Sequence, residues 1–303
     1  MSVTSSSAPR TNAPTLKTAV STSSVKKKSV LALFGKATKF SILGIWLLFT
    51  VFPLYWMFLT SIRPVREATK HFYYPHFNST LDNYRTLFKQ YTFGTYIRNS
   101  FIVSLSASAF VIFIGLMGAY ALARYRFKGK AQIMLVFLIT QMIPGLIALA
   151  PLYLLLSKIH LVDTLYALIL CYIGGLIPFA TIMLRGFLQR IPPDLDEAAL
   201  IDGCNRFTAL FRVVFPVALP GIAATFIFAF VSCWNELFLA MVLIDTDGNK
   251  TFPVAERSFI GAYYIEWGGL AASVMIGIIP TVVMFSLMSR FMISGLSAGI
   301  AKG

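Results

Sequence analysis

The densest candidate chemistry in this chain is WNELF, residues 234–238, which sets an aromatic ring, a carboxamide and a carboxylate inside an otherwise apolar run. Glu236 can accept hydrogen bonds, Asn235 can donate and accept them, and Trp234 can stack on a flat ring. Ionisable groups in such runs are costly and mark paths for polar solutes or ions. Two roles fit Glu236: lining such a path, or pairing with backbone at a kinked helix end. Trp234 likewise fits either stacking on a solute or ordinary packing. Gln141 and Arg185 are the other polar intrusions.

The remaining reactive side chains form no constellation. Cys171, Cys204 and Cys233 lie far apart with no CxxC spacing, and His71, His76 and His160 lack metal-ligand spacing. HExxH is absent. His160 and Asp163 share a loop and read as a solvated pair. A phosphate-binding loop needs GxxxxGK followed by Ser or Thr. LFGKAT and FKGKAQ lack both the first glycine and the hydroxyl, and DGNKTF fails as well. The expectation is a chain that is not an enzyme and itself binds no metal and no cofactor, ATP and Mg included.

The elements that position these residues are membrane spans. Of 303 residues, 57% are hydrophobic and 13% charged, too little charge to cover a soluble surface. Mean hydropathy is +0.74. The net charge of +14 reads as membrane topology and not nucleic-acid binding, because no aromatic-rich basic motif accompanies it. Residues 1–39 read as a disordered Ser/Thr-rich and basic tail, and residues 40–303 as the membrane domain. Six apolar segments follow, starting at SILGIWLLF, NSFIVSLSA, QIMLVFLIT, LYALILCYI, ALPGIAATF and GLAASVMIG. Each is long enough for a spanning helix, at roughly 20 residues. Lys26, Lys27, Lys28, Lys36 and Lys39 precede the first span, and Arg124, Arg126, Lys128 and Lys130 follow the second. Short basic loops stay cytoplasmic. Both termini are then cytoplasmic, and Arg63–Tyr96 and Asp245–Trp267 face outward.

One cytoplasmic loop, Ile191–Pro216, is too structured for a connector. Pro192 and Pro193 end what precedes, Asp194 can cap a helix, and Glu197 completes a capping box. Gly203 is a natural stop. A second short helix from Asn205, halted by Pro216, puts Phe207, Leu210 and Phe211 on one face. Such a hairpin could lie on lipid headgroups, but Asp194, Asp196, Glu197 and Asp202 would be repelled by an anionic leaflet. The other reading is a docking knob, with Ala198, Ala199 and Gly203 keeping its surface small.

These residues carry a resemblance. EAA at 197–199, then Gly203, Val213 and Pro216 resemble the EAA signature of binding-protein-dependent ABC importer permeases. Val213 and Phe215 stand where that family usually has Ile and Leu. GAYALARYRFKGK, ITQMIPG, IPFATIMLRGF, FAFVSCWNELFLA and GLSAGIAKG are similar to the carbohydrate-uptake branch, nearest to a second membrane subunit of maltose-type importers.

The resemblance implies an all-α permease of the type I (MetI-like) fold in a prokaryotic inner or plasma membrane. It puts the conserved-type core at about 95–290, with the coupling loop at 191–216. It implies that Glu197, Ala198, Ala199, Asp202, Gly203 and Pro216 couple the chain to an ATPase subunit. It places Gly295–Gly303 near the ATPase pair, although a frayed polar end fits that segment equally. The implied partners are a second permease subunit, two ATPase subunits and an extracytoplasmic sugar-binding protein. The implied cargo is maltose, maltodextrin or a related sugar such as trehalose; Trp234, Asn235 and Glu236 are the residues whose own chemistry offers them as lining for its path. A self-sufficient ion-coupled carrier or channel is the alternative. It calls for paired ionisable residues at mid-membrane, where the sequence offers mainly Glu236.

Overall fold

The computed structural model describes residues 22–64, 79–261 and 263–300. Residues 1–21 of the tail, His71 and His76, part of the first outer loop and the last three residues lie outside that set. The side chains of 22–35, 37, 90 and 293–300 do too. The chain divides into two compact units, residues 1–55 and 56–303.

Helix α1 runs Thr22–Ser61. Helical backbone therefore extends upstream of Phe40 into residues that composition assigned to a disordered tail. The physical reason is local: Lys, Ala and Leu are good helix formers, and KKKSVLALFGKA holds no proline. Its membrane-length part is Thr38–Ser61.

The second unit is built on three long helices. These are α3 (Phe93–Arg124), α6 (Leu165–Leu188) and α9 (Phe215–Trp234), joined by α12 (Trp267–Ile300). Helix α3 packs against α6 and α9, and α9 against α12. Small residues permit the close approach. A Cβ on Gly115 would lie 3.1 Å from that of Ala180, and one on Gly221 would lie 2.3 Å from the Phe187 ring. Small-residue faces bring backbones together where lipid supplies no hydrophobic drive.

The third expected span is not one straight helix. Helices α4 (Lys130–Met142) and α5 (Leu149–Lys158) flank the 3-10 turn Gly145–Ala148, and the pair is bent by 91°. Pro144 is the reason. It has no N–H to continue the ladder and forces Ile143 into extended backbone, at φ −77° and ψ 120°. Among the described residues, five helices can cross a membrane, and six crossings result if the bent pair counts as one.

The fifth span also breaks. Helix α9 stops at Trp234, and the short α10 (Phe238–Leu243) starts anew. At its other end α9 is longer than expected. Pro216 does not halt the preceding helix, because α8 (Arg206–Ala209) passes through a π-helical turn, Leu210–Val214, directly into α9. The Phe215 N–H donates to the Leu210 carbonyl, and Pro216 falls in the first turn, where its missing N–H costs little. The remaining elements are α2 (Asp82–Gln90), α7 (Asp194–Ile201) and α11 (Phe252–Arg257).

Candidate coupling loop and polar cavity

Helix α7 begins differently from the capping-box expectation. Pro193 occupies the cap position in helical conformation, and no side chain caps the helix. Asp194 is already helical, so its carboxylate cannot reach back over the first turn. The Asp196 and Glu197 amides donate instead to the Pro193 carbonyl, at 2.9 and 3.2 Å. Asp194, Asp196 and Glu197 still crowd the positive end of the helix, where the macrodipole favours anions.

The stop is the one expected. Gly203 has φ +85°, a conformation that costs other residues energy. Its N–H donates to the Leu200 carbonyl at 3.1 Å, and that of Cys204 to the Ala199 carbonyl at 3.0 Å. Those two bonds form a glycine-terminated left-handed stop. Asn205 then caps α8, accepting from the Thr208 amide at 2.8 Å.

Glu197, Ala198, Asp202, Gly203 and Pro216 are exposed, and Ile201 is 86% exposed. Ala199 is not on that surface. It is buried, because it sits one turn from Asp196 on the inward side. The expected apolar edge splits as well. Leu210 joins the core with Leu184, Leu188 and Val214, while Phe207 stays exposed and stacks near Phe211, with ring centres 4.7 Å apart.

Asp196 is the residue that sequence reasoning missed. It is 4% exposed, and its carboxylate lies 2.7 Å from Arg124 Nε at the end of α3. The Tyr120 hydroxyl donates to its other oxygen at 2.8 Å. Next to this cluster, the Arg206 guanidinium sits 5.2 Å from the centre of the Tyr125 ring. Arg124 counted only as a topological charge in the sequence.

At the break after α9, Glu236 acts as a cap. Its carboxylate accepts from the Leu239 and Ala240 amides at 2.8 and 3.1 Å, and from the Tyr172 hydroxyl at 2.8 Å. It also faces a cavity of about 670 Å³, lined among others by Gln141, Cys171, Tyr172 and Ser232. The bent α4–α5 segment supplies one wall. Of the two roles considered for Glu236, structural pairing at a helix break is the one these bonds describe, and the side chain also borders the mostly apolar cavity. Asn235 is exposed and bonds back to the Val231 carbonyl at 3.0 Å. Trp234 is 2% exposed, stacked between Phe230 and Phe252 at 6.0 and 5.6 Å. Its indole packs a core and reaches no open space in this conformation. Gln141 donates to the Gly175 carbonyl at 3.4 Å, and Arg185 is half-buried near the end of α6. His160 and Asp163 both have positive φ, but the partners of Asp163 are Asp245, Thr246 and Asn249.

Comparison with known proteins follows the same lines. Residues 111–293 match the family described as binding-protein-dependent transport system inner membrane component. The chain is 34% identical over 255 residues to the diacetylchitobiose uptake system permease protein DasC of Streptomyces coelicolor, covering 84% of this chain and 92% of that one. It is 34% identical over 257 residues to the trehalose transport system permease protein SugB of Mycobacterium tuberculosis, covering 84% and 93%. A chain from the crystal structure of a bacterial ABC transporter involved in import of the acidic polysaccharide alginate superposes with a TM-score of 0.72. That match has 21% identity and covers 86% of this chain and 96% of that one.

Proposed function

Because this chain belongs to the binding-protein-dependent transport system inner membrane components, the permeases of ABC importers, we propose that it forms half of a translocation path for an oligosaccharide. It is a multi-pass transport component of the bacterial inner membrane, and ATP is hydrolysed by a separate subunit. A periplasmic binding protein delivers the solute. The other half of the path is a second, different permease subunit. The cargo is a di- or oligosaccharide; maltodextrins and trehalose are the first candidates, with diacetylchitobiose the cargo named for one relative.

The observation that carries this reading is the outer face of α7. Glu197, Ala198, Ile201 and Asp202 are exposed together and held rigid by the Gly203 stop. An isoleucine 86% exposed beside acids suits a protein cleft better than water or an anionic leaflet. ATP binding closes the ATPase pair, α7 moves with it, and the spans switch from inward- to outward-facing. Glu236 with the cavity beside it, and the exposed Asn235, contribute to the path. Trp234 contributes by fixing the end of α9, not by touching sugar.

A cysteine crosslink tests the coupling. Ala198 is replaced by cysteine in a chain whose Cys171, Cys204 and Cys233 are alanine or serine, and co-expressed with the ATPase subunit carrying cysteines along its cleft. A crosslink whose yield changes with ATP is the expected result. An assembled complex with no crosslink at any cleft position contradicts the reading and returns the hairpin to the lipid surface. Uptake of labelled maltose, trehalose and diacetylchitobiose by cells expressing the complete importer then ranks the sugars.

A further inference from the structure

We propose that α3 is a connecting strut, joined by buried polar side chains to the coupling loop at one end and to the outward-facing loop 248–252 at the other. The inference rests on the coupling reading of α7 given above. Its inner joint is the cluster of Tyr120, Arg124 and Asp196. Arg124 and Asp196 approach to 2.7 Å with side chains 9% and 6% exposed. Tyr120 completes the joint from one turn back on the same helix. An ion pair so buried is strongly disfavoured once either partner leaves, so α7 and the end of α3 move together.

The outer joint lies near the start of the same helix. Asn99 donates from Nδ2 to the Gly248 carbonyl at 2.8 Å and to the Lys250 carbonyl at 3.0 Å. Ser100 Oγ accepts from the Phe252 amide at 2.7 Å. Asn99 and Ser100 are 1% and 2% exposed. These three bonds hold a loop that charge places outside the membrane, where a binding protein docks. From Asn99 to Arg124 the helix is uninterrupted and contains no proline. At 1.5 Å per residue the two joints stand roughly 38 Å apart, enough to cross the bilayer core.

The chain has other routes between its two faces, but the described hydrogen bonds distinguish this one. Helix α6 leads into α7 through Ile191–Pro193, a link with two prolines. Helix α9 leaves α8 through a π turn and breaks at Trp234. Helix α3 alone among the long described helices has a buried polar joint to the coupling loop at one end and to an outer loop at the other. Tightly packed interiors transmit displacement rather than absorb it. Nucleotide binding below should therefore alter the outer loop, docking above should alter α7, and nucleotide and binding protein should change each other's affinity by the same factor.

Hydrogen exchange on the complete importer tests this. The complex is compared nucleotide-free and with ATP in EDTA, which allows binding without hydrolysis, and exchange is followed in peptides covering 245–252. The parent complex is expected to change exchange there by about fivefold or more on ATP binding. With Asp196→Asn or with Asn99→Ala, the ATP-dependent change should shrink below about twofold, because cutting either joint interrupts a series link. Tyr120→Phe retains the ion pair and should give an intermediate response, so the test survives if Asp196→Asn assembles poorly. A full ATP response in Asp196→Asn or Tyr120→Phe complexes whose Ala198 crosslink to the ATPase persists would overturn the strut. Absence of that crosslink in the parent complex would overturn the coupling reading itself, and the strut with it.

Discussion

The Tyr172 hydroxyl on α6 donates to Glu236 across 2.8 Å, and the same carboxylate caps α10 through the Leu239 and Ala240 amides. One side chain thus joins two helices and starts a third beside the 670 Å³ cavity. Glu236→Ala removes all three bonds and should cost about 2–4 kcal/mol. Tyr172→Phe removes one and should cost about 1–2 kcal/mol. In a double-mutant cycle read by thermal unfolding in detergent, the combined loss should fall short of the sum. Strict additivity would mean that the two groups do not share a bond.

Gly203 sits at φ +85° with nothing within 4 Å of an added Cβ. The cost of Gly203→Ala is therefore backbone strain alone, about 1–2 kcal/mol. Its consequence is local, a reoriented turn between α7 and α8. ATP-dependent crosslinking at Ala198 should drop, while the complex still assembles on size-exclusion chromatography. Unchanged crosslinking in Gly203→Ala would show that the stop does not orient the docking face.

Glu256 on α11 is pushed by burial up to about 7, and the bond from Ser273 at 3.2 Å only partly opposes this. The folded protein therefore holds a proton that the unfolded chain releases near the ordinary 4.5. No penalty exists below that value. Stability falls as pH rises from 4.5 to about 7 and then levels, by ~3 kcal/mol at most. Glu256→Gln should flatten this slope and leave the variant more stable than the parent at pH 8. Melting curves from pH 5 to 8 on both proteins decide it; parallel pH profiles would refute the assignment.

Asp163 behaves in the opposite sense. Its carboxylate accepts from the Thr246 hydroxyl and from the Thr246 and Asp245 amides, both at 3.0 Å, and these bonds hold it below the usual carboxylate range. The latch between the α5–α6 loop and the α10 exit is thus complete above the ordinary aspartate value and fails only as pH falls through the depressed one. Asp163→Ala should speed amide exchange at Asp245 and Thr246 at neutral pH. The parent should lose the same protection, measured against intrinsic exchange at each pH, only in strong acid. Equal neutral-pH exchange in parent and variant would rule the latch out.

The Ile191–Pro216 loop and the WNELF break show where sequence legibility ends. Gly203 was readable because a left-handed stop is a local event decided within one turn. The proline breaks were visible as residues, but their consequences were not. Pro144 bends a span by 91°, whereas Pro216 fits into a continuing helix because the π turn before it absorbs the register. Which outcome a proline takes depends on whether neighbours satisfy the freed carbonyls.

Composition and local signals by themselves determined a polytopic helical chain, the left-handed stop at Gly203 and the lack of a phosphate-binding GxxxxGK motif. Each of these follows from hydropathy and spacing along the chain. Only the tertiary structure decided that Ala199 faces inward, that Trp234 is packed out of reach, and that Asp196 meets Arg124. The physical reason is that 3.6-residue periodicity tells which residues share a face, but on the eight-residue helix DLDEAALI the large apolar residues Leu195, Leu200 and Ile201 fall on different sides, so no hydrophobic stripe says which face turns inward. That choice was made by a charge 72 positions away in the chain, Arg124, which no local pattern connects to Asp196.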